Sequence, residues 1–200
     1  MLVESQNLDG KWYDKRTQEG GKVVMIIRLA TLKDLKYIDH LSKIESRALG
    51  FIPNTAYEAA ITGEKLGKRW SNVCNDKIWV CEENGELVGF LLMSFGKWVK
   101  VNQIAIQEDA RLIERGNALL NAGISHGLDL GRQDFVCGCA DDLPSNMFWT
   151  GVGWKMLGER KGISHKNTWV ESSKRKVNIY HKQLNSLFFK DSAEQGEGEN

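Results

Sequence analysis

Arg111, Arg115 and Gly116 share one turn, inside the stretch ARLIERGNALLNAGISHGLDLG over residues 110–131. An apolar run over 101–106 precedes it and another over 135–139 follows, so the turn leads from a strand into a long helix. A helix start leaves backbone N–H groups unpaired and carries the positive end of the helix dipole. Two arginines and a glycine at such a start make a cradle for a phosphate or pyrophosphate. The alternative reading is a basic helix start that binds nothing. Asn117 and Ala118 continue the turn. The pattern lacks the Gly-Lys-Ser/Thr of a Walker A loop and is not a G-x-G-x-x-G dinucleotide fingerprint.

Glu45 is the second residue with chemistry in its placement. At about 100° per residue, a helix over 31–49 puts Leu35, Ile38, Leu41, Ala48 and Leu49 on one face. Glu45 falls in the middle of that face, with Lys36, His40, Lys43 and Arg47 opposite. A carboxylate on an apolar stripe is costly unless it is paired or hydrogen-bonded. It is either a general base facing a pocket or a structural partner for an arginine or helix end. Gln103 lies on the strand before the turn and could hold a water that relays a proton; otherwise it is an edge hydrogen-bonder. His126, deep in the long helix, reads as a surface or packing residue. Cys137 and Cys139 sit two apart on a strand and point the same way. Without further ligands at zinc spacing, they read as buried structural thiols and no metal is expected.

The elements that position these groups can be read along the chain. With 200 residues, 42% of them hydrophobic, the chain suits a single globular domain. Lys+Arg 27 against Asp+Glu 26 gives a net charge of +1, which speaks against a nucleic-acid footprint. No apolar run reaches the roughly 18 residues of a membrane span, and no signal-peptide core is seen, so a cytoplasmic protein is expected. Trp70, Trp79, Trp98 and Trp154 fall in regular elements and read as packing residues rather than base-stacking platforms. The one local basic cluster joins Lys161, His165 and Lys166 to 174–176 as a solvated loop.

Residues 1–22 are polar without apolar period and read as a flexible extension. Glu19-Gly20-Gly21 is also what a purine-rich ribosome-binding site encodes, which makes Met25 a second candidate start. Residues 23–185 form the domain, and 186–200 an acidic disordered tail. Within the domain, strands are expected over 24–28, 77–82, 87–95, 98–106, 135–139, 154–160 and 177–181. Helices are expected from 31 to 49, from an Asn54 cap to about 70, and over 110–131. Asp142-Leu-Pro-Ser-Asn146 opens a short fourth helix. Asn84-Gly85 is a type I′ hairpin signal. The order β-α-α-β-β-β-α-β-α-β-β predicts an α/β fold with a mixed sheet and helices on both faces.

That order, with a basic glycine turn after the fourth strand, resembles the Gcn-related N-acetyltransferase (GNAT) superfamily. The family's acetyl-CoA loop reads Arg/Gln-x-x-Gly-x-Gly/Ala, and Arg111-Leu-Ile-Glu114-Arg-Gly116 fits its first and last positions. Glu114 replaces the first glycine. Asn146-Met-Phe-Trp149-Thr-Gly-Val-Gly-Trp154 is similar to the family's Asn…Phe-Tyr…Gly-Phe block, and Ile27-Arg-Leu-Ala-Thr-Leu-Lys-Asp-Leu35 to its first strand and helix. The flavour is that of small acetyltransferase-like proteins of phage and bacterial genomes.

The resemblance implies direct transfer of an acetyl group from acetyl-CoA to an amine on a small molecule or peptide. The donor would lie in a V between the fourth and fifth strands, along Ile104, Ala105 and Ile106, with its pyrophosphate on Arg111, Arg115, Gly116, Asn117 and Ala118. Asn146 would bond the pantetheine amides or else cap its helix. Trp149 stands where members carry a tyrosine that protonates the leaving thiolate; Tyr180 could serve instead, or the thiolate leaves unassisted. Glu45 and Gln103 are the expected catalytic pair, with Phe51, Ile52 and Tyr57 on the acceptor side. A homodimer is left open. Two alternatives stand beside the enzyme: a catalytically weak or inactive GNAT-fold module that binds CoA or a partner, and modification of a nucleic-acid-linked amine.

Overall fold

The described residues build one eight-stranded sheet in the order β1-β2-β3-β4-β5-β6-β8-β7. It is described by a computed structural model over residues 12–18, 21–64, 75–111, 113–162 and 175–184. The strands are β1 (Trp12–Gln18), β2 (Gly21–Leu29), β3 (Lys77–Glu83), β4 (Glu86–Phe95), β5 (Val99–Ile106), β6 (Asp134–Ala140), β7 (Lys155–Lys161) and β8 (Lys176–Gln183). The helices are α1 (Leu35–Ile44), α2 (Ser46–Leu49), α3 (Asn54–Thr62), α4 (Ile113–Asp129) and α5 (Ser145–Gly151). The expected order of strands holds from β2 onward, with three described helices rather than two between β2 and β3.

The apolar runs explain the layering. β4 reads Leu-Val-Gly-Phe-Leu-Leu-Met and is buried along most of its length, as a central strand covered on both faces must be. On one face Phe90 and Leu92 pack with Ile38 and Leu41 of α1 and Tyr57 of α3. On the other, Leu91 and Met93 pack with Leu119, Leu120 and Ile124 of α4. Gly123 and Gly127 let α4 sit close to the sheet: a Cβ on Gly127 would stand 2.8 Å from the Phe135 ring. At the β3–β4 hairpin, Asn84 and Gly85 both adopt positive φ, 51° and 87°, as the I′ turn requires.

Four expectations are corrected. First, the polar stretch read as an extension holds β1, paired antiparallel with β2 from Trp12↔Ile27 to Gln18↔Gly21. Pairing through the backbone needs no apolar period, so composition did not reveal it. Second, the first helix is not continuous: a 3-10 turn at Leu32–Asp34 precedes α1, and Glu45 sits at the joint between α1 and α2. Third, Pro53, not Asn54, holds the cap position of α3, which ends at Gly63 in the left-handed region (φ 74°). Fourth, Trp98 precedes β5 and is half-exposed. Trp79 and Trp154 are buried as expected. Trp70, His165, Lys166 and the acidic tail lie outside the described residues. His126 is a packing residue, its ring edge-on to Phe95 and Trp79 at 4.9 and 5.7 Å.

All neighbouring strands run antiparallel except β5 and β6. These two pair in parallel only at Val99↔Phe135, Lys100↔Val136 and Val101↔Cys137, although β5 runs on to Ile106 and β6 to Ala140. The register of β5 against β4 slips at this point, Leu92 facing Gln103 and Met93 facing Val101. Asn102 is the extra residue of that bulge, which bends β5 away from its neighbour.

Candidate active site

The V left by β5 and β6 is a cavity of about 650 Å³. Its β5 wall is Val101 to Ile106, its β6 wall Cys137, Gly138 and Cys139, its floor the start of α5, and its rim α2 and the start of α4. The Gln107 N–H donates to Val88 of β4 at 2.8 Å. Backbone groups alternate along a strand, so Ile106 and Ile104 direct theirs away from β4, into the opening. This edge faces the cavity rather than β6, and an extended amide-bearing ligand could pair along it once Arg111 releases the Ile106 carbonyl.

Of the expected site residues, Glu45, Gln103, Ile104, Ala105, Ile106 and Arg111 line this cavity, as do Gly116 and Trp149. Glu45 and Arg111 are the only charged side chains on its wall among the described residues, and they form an ion pair with each other. Arg111 Nε also donates to the Ile106 carbonyl at 3.3 Å. Gly116 has a packing reason: a Cβ there would stand 2.8 Å from the Phe148 ring.

Gln103 is 2% exposed and its amide is engaged. The Tyr57 hydroxyl donates to its Oε1 at 2.7 Å, and its Nε2 donates to the Leu49 carbonyl at 3.3 Å. This chain fastens α2, and with it Glu45, over β5. Tyr57 is therefore a buried strut rather than an acceptor contact. Phe51 is 79% exposed and lies, like Ile52, off the cavity wall.

Arg115 is also placed elsewhere. Its guanidinium binds Glu83 of β3 at 2.6 Å and the Ala110 carbonyl at 2.7 Å, with the side chain 15% exposed. It ties the start of α4 to the sheet and does not face the cavity. Asn117 is exposed and Ala118 packs inward. Asn146 is a loop organiser: its Nδ2 donates to the Ala140 and Leu143 carbonyls at 2.8 and 2.7 Å, and its Oδ1 accepts from Asn178 and Tyr180, both at 2.9 Å. The Tyr180 hydroxyl is spent on that contact and stands off the cavity wall. Glu114 points outward and is exposed.

Several wall residues escaped the sequence reading. Cys139 lies 3.2 Å from the Ser145 hydroxyl. Burial pushes its thiol up, against hydrogen bonds from Ser145 and Trp149. Cys137 is likewise pushed up by burial. The pair are structural thiols, as expected, but on the cavity wall. Asn102, exposed to the cavity by the bulge, donates to Ser94, beside which burial raises the Asp76 carboxyl to about 6. Met147, Phe148 and Ile113 add an apolar lip. The residue types gave no signal for these, because the bulge and the approach of α5 to α4 are long-range features. No group of metal-ligating side chains occurs among the described residues, and no described helix is long and apolar enough to cross a membrane.

No family model matches the sequence, and no curated protein matches it. Solved structures do match the fold. An N-acetyltransferase from Staphylococcus aureus Mu50 aligns with a TM-score of 0.61 and 17% identity, over 80% of this chain and 99% of that one. A ribosomal L7/L12 alpha-N-protein acetyltransferase in complex with coenzyme A gives 0.61 and 16%, over 81% and 95%. The ribosomal-protein-S18-alanine N-acetyltransferase from Escherichia coli gives 0.59 and 15%, over 80% and 94%. The chain therefore has the GNAT fold, with one additional strand, β1, ahead of the strand expected to be first; the fourth and fifth strands of the sequence reading are β5 and β6.

Proposed function

We propose that the protein is an acetyl-CoA-dependent N-acetyltransferase. One observation carries the reading: the parallel strands β5 and β6 part after Val101 and Cys137 around a cavity that the β5 edge faces instead of β6. The pantetheine arm has amides that complete such an edge, and the pyrophosphate would meet the start of α4 beside Arg111. That one structural neighbour was solved in complex with coenzyme A supports this donor.

The acceptor nitrogen attacks the thioester carbonyl carbon, the C–S bond breaks, and sulfur leaves as the thiolate. The amine proton goes to Glu45, the one carboxylate on the wall among the described residues. Backbone N–H groups of β5 face the oxygen on which charge develops. The Ser145 hydroxyl and Trp149 indole are the polar donors on the sulfur side. Two neighbours are named for ribosomal-protein acceptors, so peptides with free N-termini lead the acceptor panel. The experiment is release of free CoA thiol from acetyl-CoA against N-terminal peptides and small amines. Release with none of them, alongside measurable acetyl-CoA binding, would replace the enzyme by a CoA-binding module. That second reading is favoured by the pairing of both turn arginines with carboxylates.

The two arginines separate cleanly. Arg111→Glu is expected to weaken acetyl-CoA binding about 10- to 100-fold, the loss of a charge-assisted bond of about 1.5–3 kcal/mol. Arg115→Glu places a carboxylate against Glu83 and is expected to lower the melting temperature. Calorimetry and thermal melts on both variants check this; equal affinity losses with unchanged melting would return Arg115 to the phosphate site.

A further inference from the structure

The only two charges on the cavity wall among the described residues neutralise one another. They come from opposite substrate sides: Glu45 from the helix joint over the acceptor side, Arg111 from the turn where the donor's phosphates would dock. Arg111 does a second thing at once. Its Nε holds the carbonyl of Ile106, the last residue of the open β5 edge. One side chain thus covers both the candidate base and the end of the strand edge that an amide-bearing donor would use.

We propose that Arg111 is a latch that couples donor docking to exposure of Glu45. Arrival of the donor's diphosphate draws the guanidinium away from Glu45 and Ile106. This uncovers the strand edge for the pantetheine arm and the carboxylate for the incoming amine. The inference rests on the reading that an acyl-CoA enters along β5. Arg115 cannot take over this duty, being held by Glu83 and the Ala110 carbonyl and only 15% exposed. The Arg111 side chain is 49% exposed, so its pair with Glu45 is of the solvent-screened kind that contributes little and exchanges readily. A diphosphate offers it more charge than one carboxylate. The consequence is a bias in the order of events: a cationic amine finds Glu45 severalfold more available once the donor is in place.

The latch predicts a sign. A Glu45 that merely held Arg111 ready for phosphate would, when removed, weaken donor binding. A Glu45 that competes with phosphate for Arg111 would, when removed, tighten it. Coenzyme A is titrated calorimetrically into the wild type, Glu45→Gln, Arg111→Ala and the double variant. Glu45→Gln is expected to bind coenzyme A about two- to fivefold more tightly, the size of a screened ion pair. Arg111→Ala is expected to bind it about tenfold or more weakly. Adding Glu45→Gln to Arg111→Ala is expected to change nothing. Unchanged or weaker binding by Glu45→Gln overturns the latch, as does equal tightening with and without Arg111. Absence of coenzyme A binding by the wild type overturns the donor reading itself, a result distinct from the other two. Each variant is melted first; one that has lost its fold is replaced by Glu45→Asp or Arg111→Lys, for which the same signs at smaller size are expected.

Discussion

Trp149→Ala should cost about 3–5 kcal/mol of stability, the usual range for removing a large aromatic from a packed interior. Trp149 is 4% exposed. Its ring meets Phe148 at 5.3 Å, Trp154 at 5.0 Å and Tyr180 at 6.4 Å, so α5 is joined through it to the residue before β7 and to β8. The chain cannot close the gap cheaply, because the fourth side of the ring is the cavity itself. For a domain of this size the loss corresponds to a fall in melting temperature of roughly 6–20 °C. A fall of under about 3 °C would mean that the aromatic cluster does not anchor α5. Trp149→Tyr keeps an aromatic ring and adds a hydroxyl that can donate a proton, so it separates packing from acid chemistry. Near-normal melting with faster CoA release would place a missing proton donor at this position.

Local chemistry was legible in the residues; long-range commitments were not. Asn84-Gly85 announced its turn because few residue types besides Gly, Asn and Asp enter that backbone region easily. The strand–turn–helix around Arg111 was legible because an apolar strand run and a helical period flank it, although the 3-10 turn at Glu108–Ala110 between them was not. The parting of β5 from β6 was expected from the resemblance rather than from the residues, and its cause, a bulge at Asn102, has no signature of its own. The arginines show the limit most plainly. Arg111 and Arg115 are four residues apart and look alike in sequence. One meets Glu83, 32 residues upstream, and the other Glu45, 66 residues upstream. Asn146 was placed correctly at its helix start, yet its partners Asn178 and Tyr180 arrive from the far end of the chain. Periodicity orders a residue relative to its own element; it carries no information on which distant side chain arrives opposite.

Glu45→Gln should reduce turnover per folded molecule by about 10²-fold or more, the lower end of what a positioned general base contributes. Placement on an apolar stripe left two roles open, base or structural ion-pair partner, and the geometry now sets their sizes. The pair with Arg111 exists, but its side chains are 21% and 49% exposed, so breaking it should cost at most about 1 kcal/mol. The 3–5 kcal/mol of a broken buried pair does not apply here. Glutamine keeps the shape and still accepts a hydrogen bond from Arg111, so the melting temperature should move by only a few degrees. A large loss of activity can then not be ascribed to unfolding. Free-thiol release at saturating acetyl-CoA and a thermal melt, made on one preparation, decide between the roles. If turnover survives within about threefold, Glu45 is a positioning partner of Arg111 alone. The amine proton would then pass to water on the cavity wall, held by its remaining polar side chains, Asn102, Gln103 and Ser145.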